Sequence, residues 1–594
     1  MKTYLERLRL LFLAVLLIPS LAIGQGKSQE PVLVPDAVTK LPREELGSYE
    51  RNALQWALEL RKLRIEKKPE GKRIGELHII NLDVFGKAEG FLRYVNFLHI
   101  TTREHVIARE VLLQAGDDWD EALLTESIRR VKDPLFTSLV VMVPVKSSDP
   151  DKVDVLVVTR DVWSLRANSI FEVFQGTLTG LRLSVAENNI VGLRKHGAFV
   201  FDMDLGKISI GPQYIDKALW GTRLKLNSRF RTIFSRKDRD FEGTSSHFSL
   251  NYPLWSLREK WGGDVRFSHF DAPVRVFQGT EVQLLDNPDT SEVEEIARIY
   301  RDRRMAFRTS AVRSIGKSVK QQFTLGHEFS VIRPKLVEDF SGSVSDEQYL
   351  RDVVFPRSER ASSVFLQYRL FTPDFVVYRN LNSFDLAEDV RLGPELTAGV
   401  STSLKAIGSQ RNFYNGSLGA AWTVDIAEDG FVRGSAGVTT RLQGGELIDN
   451  FLSGSVKVAV PSVANIFRLV AKVNLKARIR EKGNAFFQLG GDSGLRGYVI
   501  SEFQGQKQFL TNVELRSTPA KIGPIRAGVL AFWDMGHVAD RLSELTLKHG
   551  VGLGLRSLIP QLQPIVFRFD WAFPLESDNA GFPGRFSAGV SQVF

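Results

Sequence analysis

From about residue 164 to residue 594, apolar and polar residues alternate with a period of two, and helical periodicity nearly vanishes. Successive side chains of a β-strand point to opposite sides of the sheet. The pattern therefore restricts some 430 residues to strands with two chemically different faces. In residues 222–234, Arg223, Lys225, Asn227, Arg229 and Arg231 fall on one face, and Leu224, Leu226, Phe230 and Phe234 on the other. Residues 471–480 repeat the arrangement, with Ala471, Val473, Leu475, Ala477 and Ile479 against Lys472, Asn474, Lys476, Arg478 and Arg480. Phe567, Phe569, Trp571 and Phe573 oppose Arg568, Asp570 and Ala572. A water-soluble sandwich also alternates, with its greasy faces turned inward. Here those faces are rich in Phe and Trp, and the opposite faces carry many charges for strands that face solvent. Both features favour a transmembrane barrel, which must close because an open edge would leave backbone groups unsatisfied in hydrocarbon. At roughly 25 residues per strand with its loop, the length predicts about 16 antiparallel strands. The charged stretches 284–304 and 333–352 suit long outer loops. The chain ends in an alternating segment with a terminal aromatic, and Phe586, Gly589 and Phe594 are its candidate C-terminal signal.

The N-terminus agrees with that compartment. Lys2, Arg7 and Arg9 precede an apolar run broken by Pro19, with Ala22 and Gly24 at small-residue positions. This predicts a secretory signal peptide over 1–24, cut before Gln25. The chain has no cysteine, which argues against thiol redox chemistry, a zinc ribbon or a disulfide-stapled module, and suits an oxidising compartment. The formal net charge of +9 is dispersed, without the compact basic patch of a nucleic-acid surface.

Residues 25–72 read as a linker carrying an amphipathic helix over 44–68, with Leu54, Leu58 and Leu63 as a partial apolar stripe. Its two readings are a helix packed on the next domain, which is favoured, and a movable plug. Residues 73–163 form an α+β pattern. It has a strand near 73–85, a helix over 102–114 with Thr102 as a candidate N-cap, a second helix over 119–132, and two β-branched runs joined by a Ser/Asp/Pro turn. That order, β-α-α-β-β, describes a small sheet covered by two helices.

The segment "GGDSGLRGYVI" (490–500) places one cation, Arg496, in a glycine- and serine-rich loop between two alternating strands. A cation folded into a lumen needs partners. In the strands that follow, Phe532, Asp534 and Gly536 share a face, and so do Asn512, Glu514 and Arg516. Asp534 is thus a lumen-facing carboxylate able to take Arg496 bidentately, and Gly497 and Gly536 would let the two backbones approach closely.

This combination resembles the outer-membrane assembly factor superfamily, which includes BamA, TamA and the two-partner secretion translocators. The resemblance rests on the Arg-Gly-aromatic loop "LRGY" (495–498) with the F-x-D-x-G strand "FWDMG" (532–536), on "ENNIVGLRKHG" (187–197) at the barrel entrance, and on "GVGLGLR" and "RFDWAFPL" near the end. It covers about 520 residues. It implies a 16-stranded barrel over 164–594, one periplasmic POTRA-like domain over 73–163, and a lock made by Arg496, Gly497, Tyr498, Phe532, Asp534, Gly536 and Glu514. The "TRDVW" that ends the small domain departs from the glutamate often found there, and a single POTRA-like domain is fewer than the complete insertases and two-partner translocators carry.

Other chemistry finds little support. "GDSGL" (491–495) lacks the second glycine of a serine-protease loop, and no base accompanies Ser493. "GKS" (316–318) has Ala311 where a phosphate loop needs glycine, and "HEF" (327–329) lacks the second histidine of a zinc helix. No enzyme activity, cofactor or metal is expected. The expected function is insertion or translocation of polypeptides at the bacterial outer membrane. Its partners would be outer-membrane lipids, client polypeptides and periplasmic accessory proteins. A translocator dedicated to one partner and a passive, anion-favouring pore are the alternatives.

Overall fold

The β-branched runs at 137–161 are nearly continuous rather than alternating, so their strands must be buried on both faces. In the computed structural model they are. It describes residues 46–594 apart from 86–93, 95, 98, 134, 175–176, 291–294, 385, 428, 524, 560–562, 577–583 and 591–594. The signal peptide, the linker up to residue 45 and Phe594 therefore lie outside the described residues. The first elements are α1 (Ser48–Arg61), β1 (Arg73–Leu82), α2 (Glu104–Ala108), α3 (Glu121–Val131), β2 (Thr137–Lys146) and β3 (Lys152–Asp161). The sheet order is β1-β3-β2, with β1 parallel and β2 antiparallel to β3.

One face of this sheet packs Ile74, Val140, Met142, Val153, Val155 and Val157 against Ile107, Leu123, Leu124 and Val131. Against β2 and β3 also lies α1, with Ala53, Leu54 and Ala57 buried. That helix is packed on the small sheet rather than plugging a lumen. Helix α2 is shorter than the expected 102–114. Beyond Ala108 both Val111 and Leu113 enter the core, a two-residue spacing that only extended backbone supplies. Thr102 caps nothing; its backbone N–H and hydroxyl donate to Asp161 at 2.7 and 2.9 Å. Asp120 caps α3 through the Leu123 N–H.

From Leu165 the chain runs through consecutive antiparallel strands. Their order begins at Leu165–Phe174, ends at Arg585–Val590 and returns to the first strand, so the sheet closes into a barrel. Twenty strands make the ring among the described residues, with a three-residue strand, Ala520–Ile522, sharing Ile525–Ala539 with its neighbour. The expected count of about 16 is therefore corrected. The assumed 25-residue repeat is too long, because several connections at one end, such as Met203 to Lys207 and Gln443 to Glu446, are tight turns. The expected outer loop 284–304 is likewise shorter, since Ile299–Ile315 is a 17-residue wall strand. The stretch 333–352 does lie in a connection, where it carries the helix Val344–Val353.

The faces are turned inside out relative to a water-soluble sandwich. Phe199, Phe230, Phe248, Phe307, Leu418, Trp422, Leu475, Leu553 and Phe569 are among the exposed apolar side chains, whereas Arg231, Asp302, Glu514, Asp534, Arg556 and Asp570 are buried.

The small sheet docks on the turns at one end of the ring. Arg194, buried and in a left-handed backbone conformation, donates to Thr137 Oγ1 at 2.8 Å and to the Val131 carbonyl at 3.4 Å. Asn189 donates to the Ile100 carbonyl and Thr102 Oγ1, Arg223 to the Arg109 carbonyl, and Arg258 to Asp120. Asp161, from the "TRDVW" segment, also meets His99 Nε2 at 3.2 Å and so ties the end of β3 to this joint. We call this end of the barrel the near end.

Replacing fully buried Leu54 by Ala removes the anchor of α1 and should cost about 2–5 kcal/mol. Proteolysis within residues 62–72 should accelerate while the barrel stays folded. Leu60→Ala, at an exposed position, should leave the cleavage rate unchanged.

Candidate lock in the lumen

The loop between the strands Phe467–Ile479 and Lys507–Ser517 leaves from the far end and folds back inside. Its stem is a two-strand ladder, Phe487–Leu489 with Phe503–Gly505. Ser493 Oγ donates to the Gly490 carbonyl at 2.6 Å, and the Val499 N–H donates to Glu502 at 2.6 Å. Leu489, Leu495 and Tyr498 seat the loop against Leu510 and Val538 of the wall. The glycine-rich composition thus builds a turn small enough to enter the lumen.

Arg496 is 1% exposed. Its Nε and Nη2 donate to the two oxygens of Asp534 at 2.7 and 2.8 Å, and its backbone N–H reaches the same carboxylate at 3.2 Å. Its Nη1 donates to Glu514 Oε1 at 2.7 Å and lies 3.6 Å from Asp570. The guanidinium sits 3.5 Å from the centre of the Phe532 ring. Burial alone would lower the Arg496 pKa. The three carboxylates, Asp534 foremost, more than reverse this and raise it, so the side chain stays charged. Asn512 bridges the Gly494 carbonyl and Asp534 at 2.6 and 2.7 Å. Tyr498 Oη lies 3.0 Å from the His549 carbonyl and 2.9 Å from Glu576; burial first, and then that carboxylate, raises its pKa.

Of the seven lock residues named from the sequence, Arg496, Glu514, Phe532 and Asp534 come into contact, whereas Tyr498 meets His549 and Glu576 and the two glycines do not meet each other. Gly536 faces Leu489 and the Phe509 carbonyl, not Gly497. Gly497, at φ 93°, lies against Phe573 and Pro574, where an added Cβ would stand 2.9 Å from the Pro574 nitrogen. The close crossing of the loop occurs at Gly550, whose missing Cβ leaves room for the Arg496 carbonyl. Gly552 clears the Phe532 ring, and Gly554 clears Asp570 and Arg556.

Three charged residues complete the site: Arg516 on Glu514 at 2.7 Å, and Asp570 with Arg556 at 2.7 Å. Arg516 shares the face already read for Glu514, and the signals for Arg556 and Asp570 lay in "GVGLGLR" and "RFDWAFPL", whose inward parity places Gly550, Gly552, Gly554, Arg556 and Asp570 in the lumen. Of the C-terminal residues, Phe586 faces outward and stacks on Trp571 at 5.5 Å between centroids, while Gly589 faces Arg568.

Arg496→Ala leaves the buried Asp534 carboxylate without its cation and should cost about 3–5 kcal/mol. It should lower the temperature at which the compact gel form disappears and open residues 491–502 to protease. Arg496→Lys should recover little, because a lysine cannot make the two-pronged contact. Gly550→Val removes no charge but should expose the same segment. The double variant should fall well short of the summed losses, since both act on one contact.

No protein-family model matches the chain, and no curated protein matches it. Among solved structures it is similar to BamA from Haemophilus ducreyi lacking POTRA domains 1–3 (12% identity, 89% of this chain and 88% of that one, TM-score 0.36). It is also similar to CdiB from Acinetobacter baumannii (11% identity, 94% and 85%, TM-score 0.37). The values for CdiB from Escherichia coli are 11% identity, 88% and 77%, and TM-score 0.42.

Proposed function

We propose that residues 164–594 form an outer-membrane barrel that assists insertion or translocation of polypeptides, with residues 73–163 serving as a POTRA-like periplasmic domain. The observation that carries this reading is the pairing of an apolar outer face with a buried, ion-paired charge cluster inside a closed sheet. In water such an outer face would drive association; in lipid it is the solvent-facing surface. The lock serves to hold a large loop in the lumen, which suits a barrel whose conduction must be controlled.

The near-end domain gives a client its first surface. The edge of β2 is already filled at one end by the chain's own Arg64–Glu66, through Ile65 opposite Val145. A client strand adding to this edge would pair along Thr137–Val143 or displace that segment. A lateral opening would lie between Arg585–Val590 and Leu165–Phe174, where the described part of the last strand is six residues long.

A second reading, an anion-favouring pore, draws on Arg433, Lys457 and Lys472. These are directly paired neighbours across three strands of the charged inner face. Dedicated secretion of one partner is a narrower form of the first reading. No enzymatic role is proposed.

Purified protein in liposomes should speed the folding of an added, urea-unfolded barrel several-fold over empty liposomes, and Arg496→Ala should reduce that gain. Steady anion-selective conductance without any acceleration would favour the pore.

A further inference from the structure

Between the wall strands Glu359–Phe371 and Gly393–Ser403, at the near end, the chain makes no tight turn. It forms a hairpin, Phe375–Arg379 paired with Ala387–Arg391. Its tip contacts the wall far from its root. Tyr378 is buried with Phe431, Ala459 and Val470, and its hydroxyl donates to the Gly430 carbonyl at 3.0 Å. Phe384 is buried with Leu558 and Val566 and lies against Gly528. The strands bearing Gly528, Leu558 and Val566 stand six to eight places round the ring from Gly393–Ser403. A twenty-stranded barrel is about 40 Å across at the usual strand spacing and tilt. The residues from Thr372 to Phe384, extended, reach about that far. The hairpin therefore bridges the near-end mouth instead of lying along its rim.

The tip is built to hold its shape. Glu388 accepts the backbone N–H groups of Leu381, Asn382 and Ser383 at 3.0 Å each. It is also tied at both sides. Arg379 pairs with Glu50 of α1 at 2.6 Å, Asp389 with Lys132 at 3.2 Å, and Phe375 lies under Arg129. Above it, the Leu381 carbonyl accepts from Arg516 Nη1 at 2.7 Å. Arg516 Nε donates to Glu514 Oε2, and Glu514 Oε1 accepts from Arg496. One carboxylate thus joins the hairpin tip to the loop that enters from the opposite end.

We propose that Phe375–Arg391 is a strap that closes the near-end mouth to a passing polypeptide, and that its seating is coupled to the Arg496 lock through Arg516 and Glu514. Release of either insert removes a hydrogen-bond partner that holds the other, so the two ends of the lumen loosen together. The proposal rests on the barrel reading above.

The absence of cysteine makes the test clean. Phe384→Cys with Gly528→Cys, bridged by a short cleavable bis-maleimide, pins the strap. Replacing residues 376–390 by a short Gly-Ser turn removes it. In planar bilayers the strapless variant should conduct several-fold more than the parent. The pinned form should stay at or below the parent level and regain the parent's fluctuations once the bridge is cleaved in the same membrane. Equal conductance of parent, pinned and strapless forms would overturn the strap while leaving the barrel. Silence of all of them would overturn the barrel reading and the strap with it. Coupling is read separately, as the rate at which a water-soluble maleimide labels Leu381→Cys. That rate should rise at least five-fold with Arg496→Ala and with Arg516→Gln, and no further when the two are combined. A rate unchanged by Arg496→Ala would overturn the coupling.

Discussion

A guanidinium sealed from water is tolerable only where carboxylates meet it with good geometry, and that demand on Arg496 organises the end of the chain. Asp534, Glu514 and Asp570 come from three strands, and Phe532 supplies the ring beneath the cation. Asn512 lies opposite Asp534, which lies opposite Gly550; Glu514 lies opposite Phe532, which lies opposite Gly552. A slip of one residue in any of these strands would turn its contribution to the outer face of the ring. The loop thus fixes register as well as filling space, and the glycines of "GVGLGLR" are where the wall must be bare for the loop backbone to cross.

The same logic explains the inside-out distribution of the ring. Charges that would be solvated on a soluble sheet are drawn inward, where each can find a partner or the water of the lumen. The Phe and Trp faces are left outside. The small sheet obeys the opposite rule, because helices pack on it, and β2 and β3 carry near-continuous apolar runs, Leu139–Val145 and Val155–Val158.

Much of this was legible in the residues. Period-two alternation gave the faces, since parity survives any uncertainty in strand ends, and Arg231 and Phe230 fall on the sides read for them. The Arg496–Asp534 contact was legible because an isolated cation in a glycine loop needs an acid, and parity left Asp534 facing inward. Strand number was misjudged because one average repeat was applied to connections of very different length, and a two-residue turn signal such as Gly444-Gly445 after Gln443 was not counted. Helix α2 was overestimated because the core accepts Val111 and Leu113 from extended backbone as readily as from a helix. The strap was invisible for a further reason. Phe375–Tyr378 is an apolar run that reads like part of a wall strand, and only the pairing of Phe375–Arg379 with Ala387–Arg391 shows that it left the ring.

Ring size and strap belong to one argument. Widening a barrel enlarges its lumen faster than its wall, and a single loop braced on a few adjacent strands covers only its own side. The lock loop packs against strands between Lys507 and Pro574, also meets Phe451 and the connection that carries Phe277, Gly279 and Arg298, and leaves the near-end mouth to other elements. A second insert from the opposite end is the economical way to span what remains, provided the two agree on position. Glu514 supplies that agreement, since its two oxygens hold different arginines: Oε1 takes Arg496 of the lock, and Oε2 takes Arg516 of the wall, whose Nη1 holds the strap. Departure of the lock takes a cation from the buried Glu514, departure of the strap takes the carbonyl acceptor from the Arg516 that pairs with it, and those linked costs are what make two separate closures act as one.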